Sequence, residues 1–353
     1  MKKEVFQIVR RGKEFGTPGY FFRAMCYITA FFYLQYCWMQ ETSYKLAIVY
    51  GVAMACIGLN VQHDANHGAA SRQVWINNLL GLGADFIGGS KWLWMEKHWT
   101  HHAYTNHITQ DPDGLAAEPI VLFNDYPAGN PKRTALHAYQ GFYLVLVLAG
   151  YWISSVFDIP QIWYLQDAGA TAVGMKLDNN PWIASRTKYA IALRVLYHTC
   201  NIIIPLYNNF SWTTVGHINV MGISGSLALG LLFTLSHNFE NSDRDPTVNA
   251  RGEKGEPVCW FKAQVETSST YGGLMAGWLT GGLNFQVEHH LFPRMSSAWY
   301  PYIAPKVREV CKKHGVNYTY YPWVWQNMIS TLKYTHEVGN ASHWKQNPFK
   351  GEM

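Results

Sequence analysis

Residues 44–67 read YKLAIVYGVAMACIGLNVQHDANH. From Tyr44 to Val61 the run is apolar, with Lys45 at its edge. At 1.5 Å per residue such a helix is about 27 Å long, close to the hydrocarbon thickness of a bilayer. The polar stretch His63-Asp64-Ala65-Asn66-His67 follows directly. Residues four apart share a helix face, so His63 and His67 point the same way. The stretch therefore predicts a membrane helix that ends in two imidazoles.

Upstream, Tyr20 to Met39 is a second apolar run, broken by Arg23 near its start, and Gln40 to Ser43 is a polar turn. The two runs predict a helical hairpin. Downstream lies a polar, His-bearing region from His63 to about Arg133. Within it, Leu79 to Gly89 is apolar but too short to cross, which predicts an interfacial segment. Three more apolar runs follow, Leu136 to Phe157, Tyr189 to Phe210 and Gly216 to Leu235, the second containing Arg194 and His198. Asn238 to Pro257 is polar and loop-like, and Lys306 to Lys313 forms a basic helix in a soluble tail.

Composition agrees with a membrane protein. Only 14% of the 353 residues are charged, against about 25% in soluble chains. Aromatics make up 15%, too many for a disordered chain. The six cysteines form no CxxC pair, which excludes a disulfide framework and a thiolate zinc site. The net charge of +5 is not gathered into a nucleic-acid stripe. It concentrates at Lys2, Lys3, Arg10, Arg11 and Lys13, and again at Lys306, Arg308, Lys312 and Lys313. Such clusters mark cytosolic ends. No repeat or linker divides the chain, so the reading is one membrane domain, 20–320, between a basic N-terminus, 1–19, and a C-terminal tail, 321–353.

Two further clusters join the first. His98-Trp99-Thr100-His101-His102 is HxxHH, and Gln286-Val287-Glu288-His289-His290 is QxxHH. Each places its imidazoles on one helix face. At the frequency of histidine here, HxxHH arises by chance roughly 0.03 times per chain. Packing several imidazoles together without a metal is costly in solvation and charge. His107, His137, His198, His217, His314, His336 and His343 stand alone and read as ordinary core or surface residues. Seven clustered imidazoles exceed the four positions of a zinc site and suit two metals. The clusters sit just outside apolar spans, so the expected substrate is a lipid. Breaking lipid C–H bonds needs an oxidant, and zinc has no redox chemistry. Two irons activating dioxygen fit that task.

The order HxxxH, HxxHH, QxxHH between hydrophobic hairpins resembles the membrane fatty-acid desaturases. The third cluster, in NFQVEHHLFP at 284–293, resembles the front-end, cytochrome b5-dependent subgroup. QHDANHGA at 62–69, DPD at 111–113 and QVETS at 264–268 are similar to it too. The resemblance covers roughly residues 20 to 320. It implies a di-iron enzyme using O2 and two electrons. Such an enzyme inserts a cis double bond into a C18–C22 polyunsaturated acyl chain, between an existing double bond and the carboxyl end. Delta-5 or delta-4 chemistry is preferred to delta-6 or delta-8. The same centre running hydroxylation or sphingolipid chemistry is the alternative.

The resemblance gives iron-ligand roles to His63, His67, His98, His101, His102, His289 and His290. Gln286 stands where other desaturases place a histidine, and binds iron through its amide oxygen or holds a water. His237, just after the last span, is similar to the family's extra ligand, and Asn238 is placed to bridge through water. Asp64, Asp111 and Glu288 are expected to orient imidazole N–H groups. Trp92, Trp94, Trp278 and Phe285 are expected along the acyl channel. The HPGG haem motif of the subgroup's fused cytochrome b5 domain does not occur in these residues. Electrons are expected from a separate cytochrome b5 and its NADH-dependent reductase, or from ferredoxin. The acyl chain is expected on CoA or on a membrane lipid.

One shared centre puts all the clusters on one membrane face, so an even number of crossings separates them. Leu136 to Phe157, rich in Tyr and Trp, is expected to lie at the interface instead of crossing. The predicted fold is all-α, with four transmembrane helices in two hairpins and a cytosolic helical cap holding the centre. Arg186, Lys188, Arg244 and Arg251 flank the second hairpin on the cap side. The expected location is the endoplasmic reticulum, with the catalytic face cytosolic.

Overall fold

A computed structural model describes residues 1–126, 129–157, 171–172, 175–176, 185–242 and 259–340. Arg244, Arg251 and His343 lie outside the described residues. The architecture is almost wholly helical. Thr17 caps helix Pro18–Gln40, its Oγ1 accepting from the Tyr20 amide at 3.2 Å, with Pro18 at the first turn. Ser43 caps helix Tyr44–Ile57 in the same way. The polar Gln40–Ser43 stretch is thus a turn, and the two helices pack as a hairpin. Helix Thr187–His198 continues through Thr199–Ile203 into Ile204–Asn208, and Ser211 caps the 26-residue helix Trp212–His237.

Two π-helical turns interrupt these long helices, at Gly58–Gln62 and Thr199–Ile203. The first comes immediately before His63, and Gln62 Nε2 donates back to the Gly58 carbonyl at 3.0 Å. The second turns Asn201 into the core. There its Oδ1 accepts from Tyr50 OH at 2.7 Å and its carbonyl from Trp38 Nε1 at 3.0 Å. These bonds tie the first hairpin to the second. In lipid, close packing and hydrogen bonds hold helices together, each such bond contributing about 1 kcal/mol. Close packing is supplied by Gly51, where an added Cβ would lie 2.3 Å from the Met221 carbonyl oxygen.

Among the described residues, four helices are long and apolar enough to cross a membrane: Tyr44–Asn66, Ala135–Phe157, Thr187–Asn208 and Trp212–His237. The chain is a multi-pass membrane protein. This set differs from the expected one in two places. Pro18–Gln40 has the length, but Arg23, Gln35 and its tyrosines keep it out of the apolar set. Ala135–Phe157, expected flat at the interface, runs antiparallel beside Trp212–His237. Leu148 faces Gly230 and Trp152 lies on Gly222. Of the side chains expected to form an interfacial belt, Trp152 turns inward and is buried, while Tyr139 and Tyr151 stay exposed.

Above the long helices sits a cap. Helices Lys91–Ala103, Trp260–Glu266, Gln286–Leu291, Tyr300–Lys313 and Val324–Gly339 build it, and strand Ser269–Tyr271 pairs in parallel with Thr319–Tyr321. That second strand straddles the expected boundary between the membrane domain, 20–320, and the tail, 321–353. Helix Val324–Gly339 packs back onto the start of Gln140–Phe157, and Gln140 Nε2 donates to the Thr335 carbonyl at 2.7 Å. The N-terminal helix Lys2–Ile8 lays Val5 against the core that holds Ile303 and Val307. Gly281, at φ +67°, lets the chain pass the Leu59 carbonyl, where an added Cβ would come within 2.2 Å. This contact seats the segment before Gln286 against the π-turn before His63.

Candidate metal centre

Four helices deliver the predicted ligands to one buried place. His63 and His67 come from the end of Tyr44–Asn66, and His98, His101 and His102 from Lys91–Ala103. His237 is the last residue of Trp212–His237, while Gln286, His289 and His290 lie on Gln286–Leu291. All nine are at most 8% exposed.

The nitrogens form two adjoining pockets. Ring nitrogens of His63, His67, His98 and His289 surround one, and those of His101, His237 and His290 the other. His102 stands between them, its Nε2 2.9 Å from that of His289 and its ring stacked on His290 at 4.3 Å. The Gln286 amide nitrogen closes the second pocket, 2.9 Å from His237 Nε2 and 3.2 Å from His290 Nε2. The amide's oxygen reaches the same place by a half-turn of the side chain.

The opposite edges of five of these rings meet a partner, while Nδ1 of His63 and of His102 has no hydrogen-bond partner. His101 Nδ1 meets Asp111 Oδ1 at 2.9 Å, and His98 Nδ1 meets Asp113 Oδ2 at 3.4 Å. His237 Nδ1 donates to the Thr267 carbonyl at 2.9 Å and His290 Nδ1 to Gln264 Oε1 at 2.7 Å. Gln264 is itself oriented by donating Nε2 to the His102 carbonyl at 3.2 Å. His289 Nδ1 lies 3.2 Å from Tyr300 OH. A carboxylate or carbonyl at Nδ1 fixes the proton there, which leaves Nε2 as a lone pair.

The Nε2 atoms face one another, those of His98, His101, His237 and His290 as lone pairs. The Nε2 pairs His63–His98, His98–His102, His101–His237 and His237–His290 are 3.3, 3.3, 3.3 and 3.1 Å apart. His67 Nε2 is buried with no hydrogen-bond partner. Lone pairs aimed at one another repel, and a cation between them removes the repulsion. The donor set therefore fits bound metal, and imidazole suits zinc, copper, iron and nickel. Burial pushes the His98 pKa down to about 4, although Asp113 pulls the other way. Burial first, then neighbouring imidazoles, holds His102, His289 and His290 well below the ordinary range. All four are neutral at physiological pH, the form that binds metal.

Asp111 also builds the local loop. Its carboxylate accepts from the amides of Asn106, Asp113 and Gly114 at 2.7, 2.9 and 3.1 Å, and this loop carries Asp113 to His98. Asn106 takes φ +58° there, a conformation Asn tolerates. Asp64 is placed differently: its Oδ2 accepts from Ser296 Oγ, Ser297 N and Ser297 Oγ at 2.8–3.0 Å, and its Oδ1 is 3.9 Å from His63 Nδ1. It fastens the first cluster to the loop after the third. Glu288 gives its carboxylate to Tyr318 OH at 2.8 Å and Thr270 Oγ1 at 3.3 Å. Burial raises its pKa to about 7 despite those bonds. Asn238 Nδ2 donates to the Thr234 carbonyl at 3.0 Å. Sequence reasoning gave no orienting role to Asp113, Gln264, Tyr300 or the Thr267 carbonyl. The DPD and QVETS stretches were the only signals for the first two.

A cavity of about 710 Å³ opens from the centre. His98, His101, His237 and Gln286 line its upper end, and Met221, Gly222 and Trp152 its lower part. Trp94 lines it too, stacked on His98 with centroids 4.3 Å apart. The other expected channel residues lie elsewhere. Trp92 is buried in a cluster with Ala190, Phe285 belongs to the core under Val5, and Trp278 is 61% exposed.

The comparisons with known proteins agree with this geometry. The fatty acid desaturase family model matches residues 42–322. The chain is 36% identical over 310 residues to an acyl-lipid (7-3)-desaturase of Rebecca salina, covering 85% of this chain and 65% of that protein. It is 33% identical to an acyl-lipid (7-3)-desaturase of Diacronema lutheri, over 95% of this chain and 73% of that protein. An acyl-lipid (8-3)-desaturase of Physcomitrium patens is 28% identical over 88% of this chain and 64% of that protein. The chain thus spans about two thirds of the length of these relatives. A helical membrane scaffold, three histidine clusters meeting in two nitrogen pockets and a match over most of its length make the chain a member of the fatty acid desaturase family.

Proposed function

We propose that this chain is a front-end acyl-lipid desaturase. It introduces a cis double bond into a polyunsaturated C18–C22 chain, between an existing double bond and the carboxyl end, with delta-5 or delta-4 placement. The observation that carries the reading is the cavity, which joins the two nitrogen pockets to a long apolar space between the helices. Relatives named as acyl-lipid (7-3)- and (8-3)-desaturases support the front-end assignment.

The lining also favours a lipid-borne chain over an acyl-CoA. Near the cap the cavity meets Lys97, Asp111, Asp113 and Glu118, one lysine beside three carboxylates. Such a lining offers no excess of positive charge for the phosphates of CoA.

Two irons held by the nine side chains would supply the activation of O2, with electrons from cytochrome b5 or ferredoxin. The chain's own work is to bind, orient and exclude water. Asp111, Gln264 and the Thr267 carbonyl hold His101, His290 and His237 in one tautomer and one orientation, so the centre is preorganised. Trp94 packs beside His63, His67 and His98 and keeps that side of the centre dry. The cavity walls fix which methylene pair comes to rest beneath the imidazoles.

The topology follows from the site. His101 and His237 touch, so an even number of crossings separates them. The turns after Met39 and Asn208 meet, with Asn208 Nδ2 donating to the Met39 carbonyl at 2.8 Å and Thr42 Oγ1 2.8 Å from His217 Nδ1. Pro18–Gln40, about 34 Å long, thus reaches the same depth as the second hairpin. The crossings are Pro18–Gln40, Tyr44–Asn66, Thr187–Asn208 and Trp212–His237. Ala135–Phe157 enters from the cap beside them, and Phe157 stops against His198. The basic cap faces the cytosol, on the endoplasmic reticulum.

The test is expression in yeast with a cytochrome b5 supply and a panel of C18 to C22 polyunsaturated acids, followed by mass spectrometry. The expected product has lost two hydrogens on the carboxyl side of an existing double bond. Gain of oxygen would show a hydroxylase instead.

A further inference from the structure

The lower end of the cavity is closed by one unusual contact. The indole of Trp152 lies flat on Gly222, so that a Cβ added there would meet the indole Cδ2 at 2.1 Å and Cε3 at 2.5 Å. No residue but glycine permits this approach without moving the ring. The indole is also pinned at its edge, Nε1 donating to Tyr197 OH at 3.0 Å. Met54 and Met221, both at most 4% exposed, line this part of the space, as do Ser155 and Arg194. Below them the core is filled by Trp38, Tyr50 and Phe31, with no exposure above 1%. Along the helix axis, Met221 lies about 24 Å below His237.

We propose that Trp152, seated on Gly222, is the floor of the acyl cavity and limits how many carbons extend on the methyl side of the reacting bond. The proposal rests on the reading of this cavity as the acyl site. Its physical basis is the rigidity of the contact. The ring is held on its face by the glycine backbone and on its edge by Tyr197, so it cannot swing aside for a longer chain. Flexible Met54 and Met221 can adjust to a terminal methyl, but the indole cannot. The pair makes opposite predictions for its two members. Trp152→Ala removes the floor and deepens the space. Gly222→Ala drives the ring off the helix into the cavity and makes it shallower.

The experiment uses membranes from yeast expressing the full chain with cytochrome b5. Substrates share their carboxyl-side double bonds and differ only in methyl-side length. Each profile is normalised to that variant's best substrate. Discrimination per misplaced methylene is roughly tenfold or more in a closed apolar pocket. Trp152→Ala is expected to move the preferred length to longer chains, Trp152→Phe to do so less, and Gly222→Ala to move it to shorter ones. Unchanged length profiles in active Trp152→Ala and Trp152→Phe membranes would overturn the proposal.

A second measurement stands without any variant. An acyl chain carrying a photoreactive diazirine at its methyl end is cross-linked to the wild-type protein and the labelled peptide sequenced. Label on Met54, Trp152 or Met221 is the expected result. Label higher in the cavity, near Phe233, overturns the floor while keeping the acyl site. Label outside the cavity overturns the reading of the cavity itself.

Discussion

His101 and His237 lie 136 residues apart in the chain, and their Nε2 atoms face each other at 3.3 Å. Each has its other nitrogen fixed from behind, His101 by Asp111 and His237 by the Thr267 carbonyl. The contact joins a cap helix to the end of a membrane helix, and a cation between the two lone pairs would remove their repulsion. His237→Ala should therefore lose bound iron and all desaturation while the protein still inserts. Metal analysis and product analysis of the same membranes check this. Retention of more than half the activity would remove His237 from the ligand set.

Asp111→Asn keeps the size of the side chain but weakens its hold on His101 and on the loop amides. Losing such an orienting partner typically costs about 10–100-fold in metal affinity or activity. Asp113→Asn should cost less, because its contact to His98 is longer, at 3.4 Å, and its side chain is 40% exposed. Competition with a chelator, followed by iron counting, ranks the two variants. Equal retention in both and in the wild type would contradict the orienting role.

Gln286 faces His237 and His290 with its amide end. Gln286→His places an imidazole on the same helix face and should keep measurable activity. Gln286→Ile offers no donor and should be inactive at normal protein level. Full activity in the Ile variant would reduce Gln286 to packing.

The two basic clusters, far apart in sequence, meet on one face of the cap. Helix Lys2–Ile8 packs on Tyr300–Lys313, and Lys2, Lys3, Arg10, Arg11, Lys312 and Lys313 are all exposed. Tyr300 at the start of that second helix touches His289. An acidic electron carrier docking here would be steered by charge, and salt screens such steering over roughly 8–10 Å. Turnover with a separate cytochrome b5 should fall as ionic strength rises, with iron content constant. Lys312→Glu combined with Lys313→Glu should lower turnover at low salt and flatten the salt dependence. An unaltered salt profile would place the docking surface elsewhere.

The three clusters were legible in the sequence because their imidazoles are neighbours on single helices, at spacings of three and four. His237 was legible from its position at the end of an apolar span. The orienting groups were harder to read. Gln264 and Tyr300 reach their imidazoles across the fold, and the Thr267 carbonyl is a backbone atom with no residue signature. Asp64 and Glu288 sit beside clustered histidines in sequence, yet their carboxylates turn to Ser296 and Ser297, and to Tyr318, because a helix points successive side chains in different directions. The direction of helix Ala135–Phe157 was missed for a related reason. Tyr and Trp are common both at interfaces and along cavities, and only the packing of Trp152 on Gly222 tells the two apart.

On this reading the two nitrogen pockets hold a redox metal pair. Metal counting on the purified protein decides it. The expected result is about two irons per chain, matching the two pockets, with the count falling in the His237→Ala variant. A wild-type protein that carries zinc and no iron, whatever iron is supplied during expression, would contradict it.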